Sequence, residues 1–233
     1  MKALKSSLNT ASVILLTVLM AACTMSEKRN DETETSTRQT KAETLLHEAD
    51  SLLRADSLFW ARTITFRQPH TAIHDRLILQ KLDSAILLSP DCPQGYLQKY
   101  MYLIACRKSA ALLPLLQQMD QQCDSLQGNF LCLKGLLEFH QGDSLHGMES
   151  FQRADRAFQR QISQCSPNDS LLYGSLRLSK ALNLSLMKND FTCFQEELER
   201  FQKIHPQTDT QSLNDILPFK SREDYYRQLF PEN

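Results

Sequence analysis

From Ala42 to the end of the chain, apolar residues recur every three or four positions, and no run alternates apolar with polar between hairpin turns. The stretch AETLLHEADSLLRADSLFWARTITF sets Leu45, Ala49, Leu52, Leu53, Leu58 and Phe59 on one stripe, which predicts a helix over residues 42–66. A second helix is predicted from Asp75 to Leu88, with Leu77, Ile78, Leu82, Ala85 and Ile86 inward and Ser89-Pro90 as its stop. Further on, Gln141-Gly142 ends one helix and Asp143 or Ser144 caps the next. Asn189-Asp190 marks another internal turn. The expected fold class is all-α. Pro114 falls inside a predicted helix and is expected to kink or shorten it.

Upstream, the pattern is of two other kinds. Residues Ala11–Ala22 form an apolar run behind Lys2 and Lys5. Twelve helical residues rise about 18 Å, well short of the roughly 30 Å hydrocarbon core of a bilayer. A basic start, a short apolar middle and small residues at its end read as an export signal over residues 1–22. The stretch Leu19-Met20-Ala21-Ala22-Cys23 resembles the lipobox of bacterial lipoproteins. That resemblance implies cleavage before Cys23, acylation of its thiol and attachment to a membrane of a bacterial cell envelope. Met20 stands where leucine is more usual. The next residues, TMSEKRNDETETSTRQTKA, carry no aromatic side chain and mostly Thr, Ser and charges. Such a stretch cannot bury enough surface to fold by itself and reads as a flexible tether over 23–42, with a reach of roughly 25 Å.

A repeat follows from the spacing of small and aromatic residues in the helical region. Gly135 is followed twelve positions on by Gly147, then by Phe151 and Ala154. This is similar to the tetratricopeptide repeat, a 34-residue helical hairpin. In that family the small residues let two helices cross closely, and the aromatic packs behind them. With this register set, Ala85 and Pro90 match the end of an earlier repeat, and Leu198, Phe201 and Pro206 that of a later one. Repeats are expected at about 59–92, 93–126, 128–161 and 175–208, with residues 162–174 lengthening one connection. The resemblance covers about 150 of 233 residues. It is degenerate, because the Trp that opens good repeats is missing. It implies a repeat domain of stacked antiparallel hairpins, an α-solenoid, over 43–208. The segment 209–233, rich in Leu, Ile, Phe and Tyr, is then expected to cap the last repeat.

Composition narrows the function. Removing residues 1–22 takes two of the 26 Lys and Arg and none of the 27 Asp and Glu, leaving a net charge of −3. That is too mild to imply nucleic acid or an anionic surface as partner. No nucleophile elbow, phosphate-binding glycine loop or H-E-x-x-H occurs. No cofactor, no metal and no small-molecule substrate is therefore expected. His70 and His74 sit four apart beside Asp75, but a metal-dependent hydrolase would need a third ligand. Glu138, His140 and His146 straddle a turn and share no face. Six cysteines remain beside Cys23, none in a C-x-x-C pair. Cys106 and Cys132 lie among aliphatic residues and read as small hydrophobes. Cys92 and Cys123, at the two ends of one hairpin, are the pair best placed for a disulfide.

Without catalytic signatures, the expectation is a protein that binds a protein or peptide partner as an adaptor or scaffold. The alternative is an immunity or inhibitor lipoprotein that neutralises a secreted toxin. In the tetratricopeptide register the first helix of each repeat lines the ligand groove. This places Leu97, Met101, Ile104, Leu136, Phe139, His140 and Asn183 there as candidate partner contacts. Members that clamp a terminal carboxylate carry basic residues at these positions, which this chain lacks. The same residues also suit a core covered by the 42–66 helix or by the C-terminal segment, and the sequence leaves both open. Arg153, Arg156 and Arg160 form a basic stripe opposite Phe151, Ala154 and Phe158, which reads as a solvated face.

Overall fold

Apolar stripes of helical period give nine α-helices and no strand among the described residues. The computed structural model describes residues 34–55, 72–90, 93–122, 126–166, 170–206 and 219–230. The expected signal 1–22, Cys23, the first part of the expected tether, His70 and the Cys92–Cys123 pair lie outside them. No described helix is long and apolar enough to cross a membrane.

The described residues fall into two compact units, split near residue 124. The first holds α1 (Glu34–Ala55), α2 (Ala72–Leu88), α3 (Pro93–Ala105) and α4 (Ser109–Gln122). Helix α1 packs on α2, burying Ala42, Leu46 and Ala49 on one side and Ile78, Leu82, Ala85 and Ile86 on the other. The Lys81–Glu48 ion pair flanks that seam. Here the structure corrects the tether expectation, since α1 begins at Glu34 and Ala42 is already buried. Glu, Arg, Gln and Lys are good helix formers, and a helix growing back from the α1–α2 contact adds each residue for one hydrogen bond. Helix α4 runs through Pro114 from Ser109 to Gln122, so the proline does not shorten it. Pro114 is exposed and near the helix start, where the carbonyl left without a donor is one that water can serve.

The second unit holds α5 (Gly128–His140), α6 (Ser144–Gln164), α7 (Ser170–Lys188), α8 (Thr192–Ile204) and α9 (Arg222–Leu229). Helix α5 packs against α6, α7 and α9, α6 also packs on α7, and α7 on α8. That central place explains why α5 is buried on nearly every side, from Phe130 to Glu138. Helices α6 and α8 bury one face only, through Phe151, Ala154 and Phe158 and through Phe194, Leu198 and Phe201. Most of the stretch expected as a long connection, 162–174, is helical, because α6 extends to Gln164 and α7 starts at Ser170.

Glycines set the α5–α6 distance. A β-carbon on Gly135 would lie 2.9 Å from both the Gly147 carbonyl oxygen and the Phe151 ring. One on Gly147 would meet the Phe139 ring and, at 3.0 Å, the Gly135 oxygen. The Phe139 and Phe151 rings stack at 5.6 Å between centroids. This is the close crossing expected from the spacing of the two glycines.

Three of the turns share one construction. Arg107, Gly142 and Asn189 each take a left-handed backbone, with φ of 54°, 87° and 57°. In each, the next amide donates back across the turn, Lys108 to Leu103, Asp143 to Glu138 and Asp190 to Ser185, at 2.8–3.0 Å. That six-to-one bond closes the helix end and sends the chain back antiparallel. Gly142 occupies its position without a Cβ penalty, whereas Arg107 bears one.

Candidate functional site

The second unit's most distinctive surface is the one that α9 covers. Ser221 caps α9, its hydroxyl accepting from the Asp224 amide at 3.0 Å, and Glu223 and Asp224 complement the helix start. Eight residues are too few for a stable isolated helix, so α9 depends on what it touches. Its first residue does most of the anchoring. The Arg222 guanidinium donates to the Leu186 carbonyl at 2.6 Å and to the Met187 carbonyl at 3.2 Å, both at the end of α7. The Arg222 amide donates to the Asn189 side chain at 2.6 Å. The same guanidinium lies 3.7 Å from the centroid of the Phe139 ring, a cation–π contact. Burial pulls the Arg222 pKa below its ordinary value, yet carbonyl dipoles at a helix C-terminus are a favourable place for a cation.

One turn further along α9, Tyr226 stacks on the His140 ring at 3.5 Å between centroids. His140 Nδ1 lies 3.3 Å from a Glu223 carboxylate oxygen. Beside these contacts, Phe219 and Tyr225 pack with Phe191 at the start of α8. The face is thus built from an aromatic ring, an imidazole and two helix-end carbonyls, and it holds a short segment by one arginine and one tyrosine.

The candidate groove residues divide between the units. Leu97, Met101 and Ile104 lie on α3, each half-buried. Leu136 is buried inside the second unit, and Phe139 and His140 sit under α9. Asn183 is fully buried on α7, its side-chain amide donating to the Phe151 carbonyl at 3.0 Å. It therefore joins α7 to α6 inside the unit. Arg222 was not singled out by sequence, Asn189 stood there only as a turn residue and Tyr226 only as part of the capping segment 209–233. The S-R-E-D start of α9 is a readable helix cap, but nothing local in the sequence says where that arginine reaches.

The first unit has a polar cluster of its own. Asp75 accepts from the Tyr102 hydroxyl and pairs with Lys108 at 2.9 Å, tying the start of α2 to the end of α3. Burial, with the Asp75 hydrogen bond second, raises the Tyr102 pKa far above its ordinary value. Burial also lifts the Cys106 thiol to about 11. These shifts oppose nucleophile or base chemistry, since tyrosinate and thiolate are both disfavoured. The arrangement acts as a structural tie. Among the described residues no group of three His, Cys, Asp or Glu side chains could hold a metal ion.

Cys132 is buried in α5, and burial pushes its thiol up to about 12, whereas Cys193 on α8 is exposed. At pH 8, a maleimide should label Cys193 quickly and Cys132 only on unfolding, as read by peptide mass spectrometry. Equal labelling rates in the native protein would contradict the packing of α5.

At the start of α6, Asp143 accepts from the His146 amide at 3.2 Å, and His146 Nδ1 lies 2.7 Å from its second oxygen. The hydrogen bond raises the His146 pKa above its ordinary 6.5, with charge attraction second. Hydrogen bonds from His146 hold Asp143 below its ordinary 3.8. The histidine's contribution is complete below 6.5 and is lost as pH rises through its raised value. The aspartate's is present above 3.8 and is lost as pH falls through its depressed value. An NMR titration of His146 should move back toward 6.5 in Asp143→Ala. An unchanged midpoint would remove the pair.

Comparison of the chain with protein-family models, with curated proteins and with solved structures gives no match in any of the three.

Proposed function

We propose that this chain is a lipid-anchored protein of a bacterial cell envelope that works by binding a protein or peptide partner, without catalysis. The binding reading rests on one observation. A segment of only eight helical residues is held on the ends of α5 and α7 by a guanidinium, an aromatic stack and helix-end carbonyls. Those are the elements of a peptide-recognition surface. The tetratricopeptide-like arrangement is supported by the recurring left-handed turn at Arg107, Gly142 and Asn189 and by the Gly135–Gly147 crossing. Gly142 and Asn189 are turn positions of the repeat register, whereas Arg107 was not named in it. The anchoring rests on Leu19-Met20-Ala21-Ala22-Cys23. In this reading Leu97, Met101 and Ile104 on α3 are the candidate contacts of the first unit and Phe139 and His140 on α5 those of the second, while Leu136 and Asn183 are buried and hold the second unit together.

Two experiments test the two halves. Radiolabelled fatty acid should enter the wild-type protein and be absent from Cys23→Ala; label that persists would refute the anchor. A photo-crosslinking residue at Met101, exposed to intact cells, should give a partner adduct, while the same residue at Arg156 should give none. An adduct at Arg156 alone would move recognition to the exposed face of α6.

A further inference from the structure

We propose that α9 is a displaceable resident of the face formed by the ends of α5 and α7, so that the chain carries its own competitor for its partner. This deepens the binding reading above and rests on it. The partner it implies is a protein segment with an arginine followed four residues later by an aromatic side chain, the spacing of Arg222 and Tyr226. The arginine would reach the Leu186 and Met187 carbonyls, and the aromatic ring would stack on His140. An acidic residue directly after the arginine would take the place of Glu223 beside His140 Nδ1.

Three features favour a resident over a fixed part of the core. First, the groups that Arg222 satisfies are helix-end carbonyls, which water serves equally well when α9 leaves. The Ser185 carbonyl needs nothing from α9, because the Asp190 amide already closes that turn onto it. Second, the Glu223–Arg227 ion pair of α9 stays close to solvent. The Glu223 side chain is 45% exposed and that of Arg227 67%. Third, part of the support of the face beneath comes from elsewhere: Phe139 packs from behind against Phe151 and Gly147, contacts that α9 does not make. The aromatic contacts of Phe219 and Tyr225 with Phe191 lie beside this face and keep the segment near it. A tethered competitor acts at an effective concentration of order millimolar, so it suppresses weak ligands and yields to strong ones.

The test uses the full chain and a fluorescent peptide of residues 219–230. Peptide should bind the Arg222→Ala/Tyr226→Ala protein at least tenfold more tightly than wild type, where the resident occupies the face. The same peptide carrying Arg222→Ala should bind neither protein. Equal binding to both proteins, or none to either, would overturn the proposal. Hydrogen exchange on the wild type provides a reading that no substitution can disturb. The α9 amides should exchange at least a hundredfold faster than those of α5. If α9 opens only with α5, it is part of the core and the proposal fails. A partner adduct at Met101 together with that failure would keep the binding function and remove only the resident competitor.

Discussion

Glu138→Ala should destabilise the protein by about 3–5 kcal/mol, one of the two largest effects expected of any single substitution described. Glu138 and Lys134 lie four apart on α5, the most buried helix, with side chains 5% and 11% exposed. Their ion pair measures 3.2 Å. The Ser150 hydroxyl on α6 donates to the other Glu138 oxygen at 2.6 Å and accepts from Lys134 at 3.3 Å. Every charged group in this triangle has a partner, and α5 and α6 are joined through it. Removing the carboxylate takes away the opposite charge beside the buried ammonium, and that charge no longer offsets its desolvation. Replacing the whole triangle should behave differently. Lys134→Met/Glu138→Leu/Ser150→Ala removes all three polar side chains together and should recover stability to within about 1–2 kcal/mol of wild type. Urea denaturation of the two variants decides the matter. A triple variant as unstable as Glu138→Ala would mean that the loss comes from packing volume and not from an uncompensated charge.

Why this triangle was illegible in sequence is instructive. In sequence Lys134 and Glu138 are two charged residues four apart, and burial on nearly every side of α5 comes from its neighbours and not from its own pattern. Helices that bury one face were legible for the opposite reason. The stripes of α6 and α8 separate apolar from polar residues, and the turns at Gly142 and Asn189 carry residues suited to a left-handed backbone. Arg107 makes the same turn with a residue that gives no such signal. The close crossing of α5 and α6 was readable because only a side chain of glycine size fits, and two such residues stood at the right separation. The start of α1 at Glu34 was hidden by composition. Thr, Ser and charged residues signal a tether, yet a helix anchored further along by Ala42 and Leu46 extends through them. At the candidate site, Phe139 and His140 came from the repeat register. Arg222 did not, because its partners lie more than thirty residues away in sequence and are backbone carbonyls, which any residue supplies.

Gly147→Leu should cost about 3 kcal/mol, and the reason can be isolated. Gly gives up roughly 1 kcal/mol of helix propensity to most residues, so substitution within α6 would be stabilising if space allowed. Space does not allow it. A β-carbon would lie 2.8 Å from Phe139 Cε2 and 3.0 Å from the Gly135 carbonyl oxygen. The ring cannot retreat, since Phe151 stacks on it and the Arg222 guanidinium sits 3.7 Å from its centroid. The backbone oxygen cannot move without shifting α5 itself. Overpacking of this kind costs about 1–3 kcal/mol beyond any propensity gain, and leucine adds three more heavy atoms to the clash. A double-mutant cycle with the smaller Gly147→Ala identifies which neighbour matters. In the wild-type background alanine should destabilise by about 1–2 kcal/mol. In a Phe139→Ala background the ring is gone, and the same change should be neutral or stabilising by up to about 1 kcal/mol. The Phe139→Ala background is itself weakened, so the cycle is read from urea midpoints with a common slope. An identical cost in both backgrounds would place the conflict at the Gly135 oxygen alone. It would then be the two backbones, and not the Phe139 ring, that set the distance between α5 and α6.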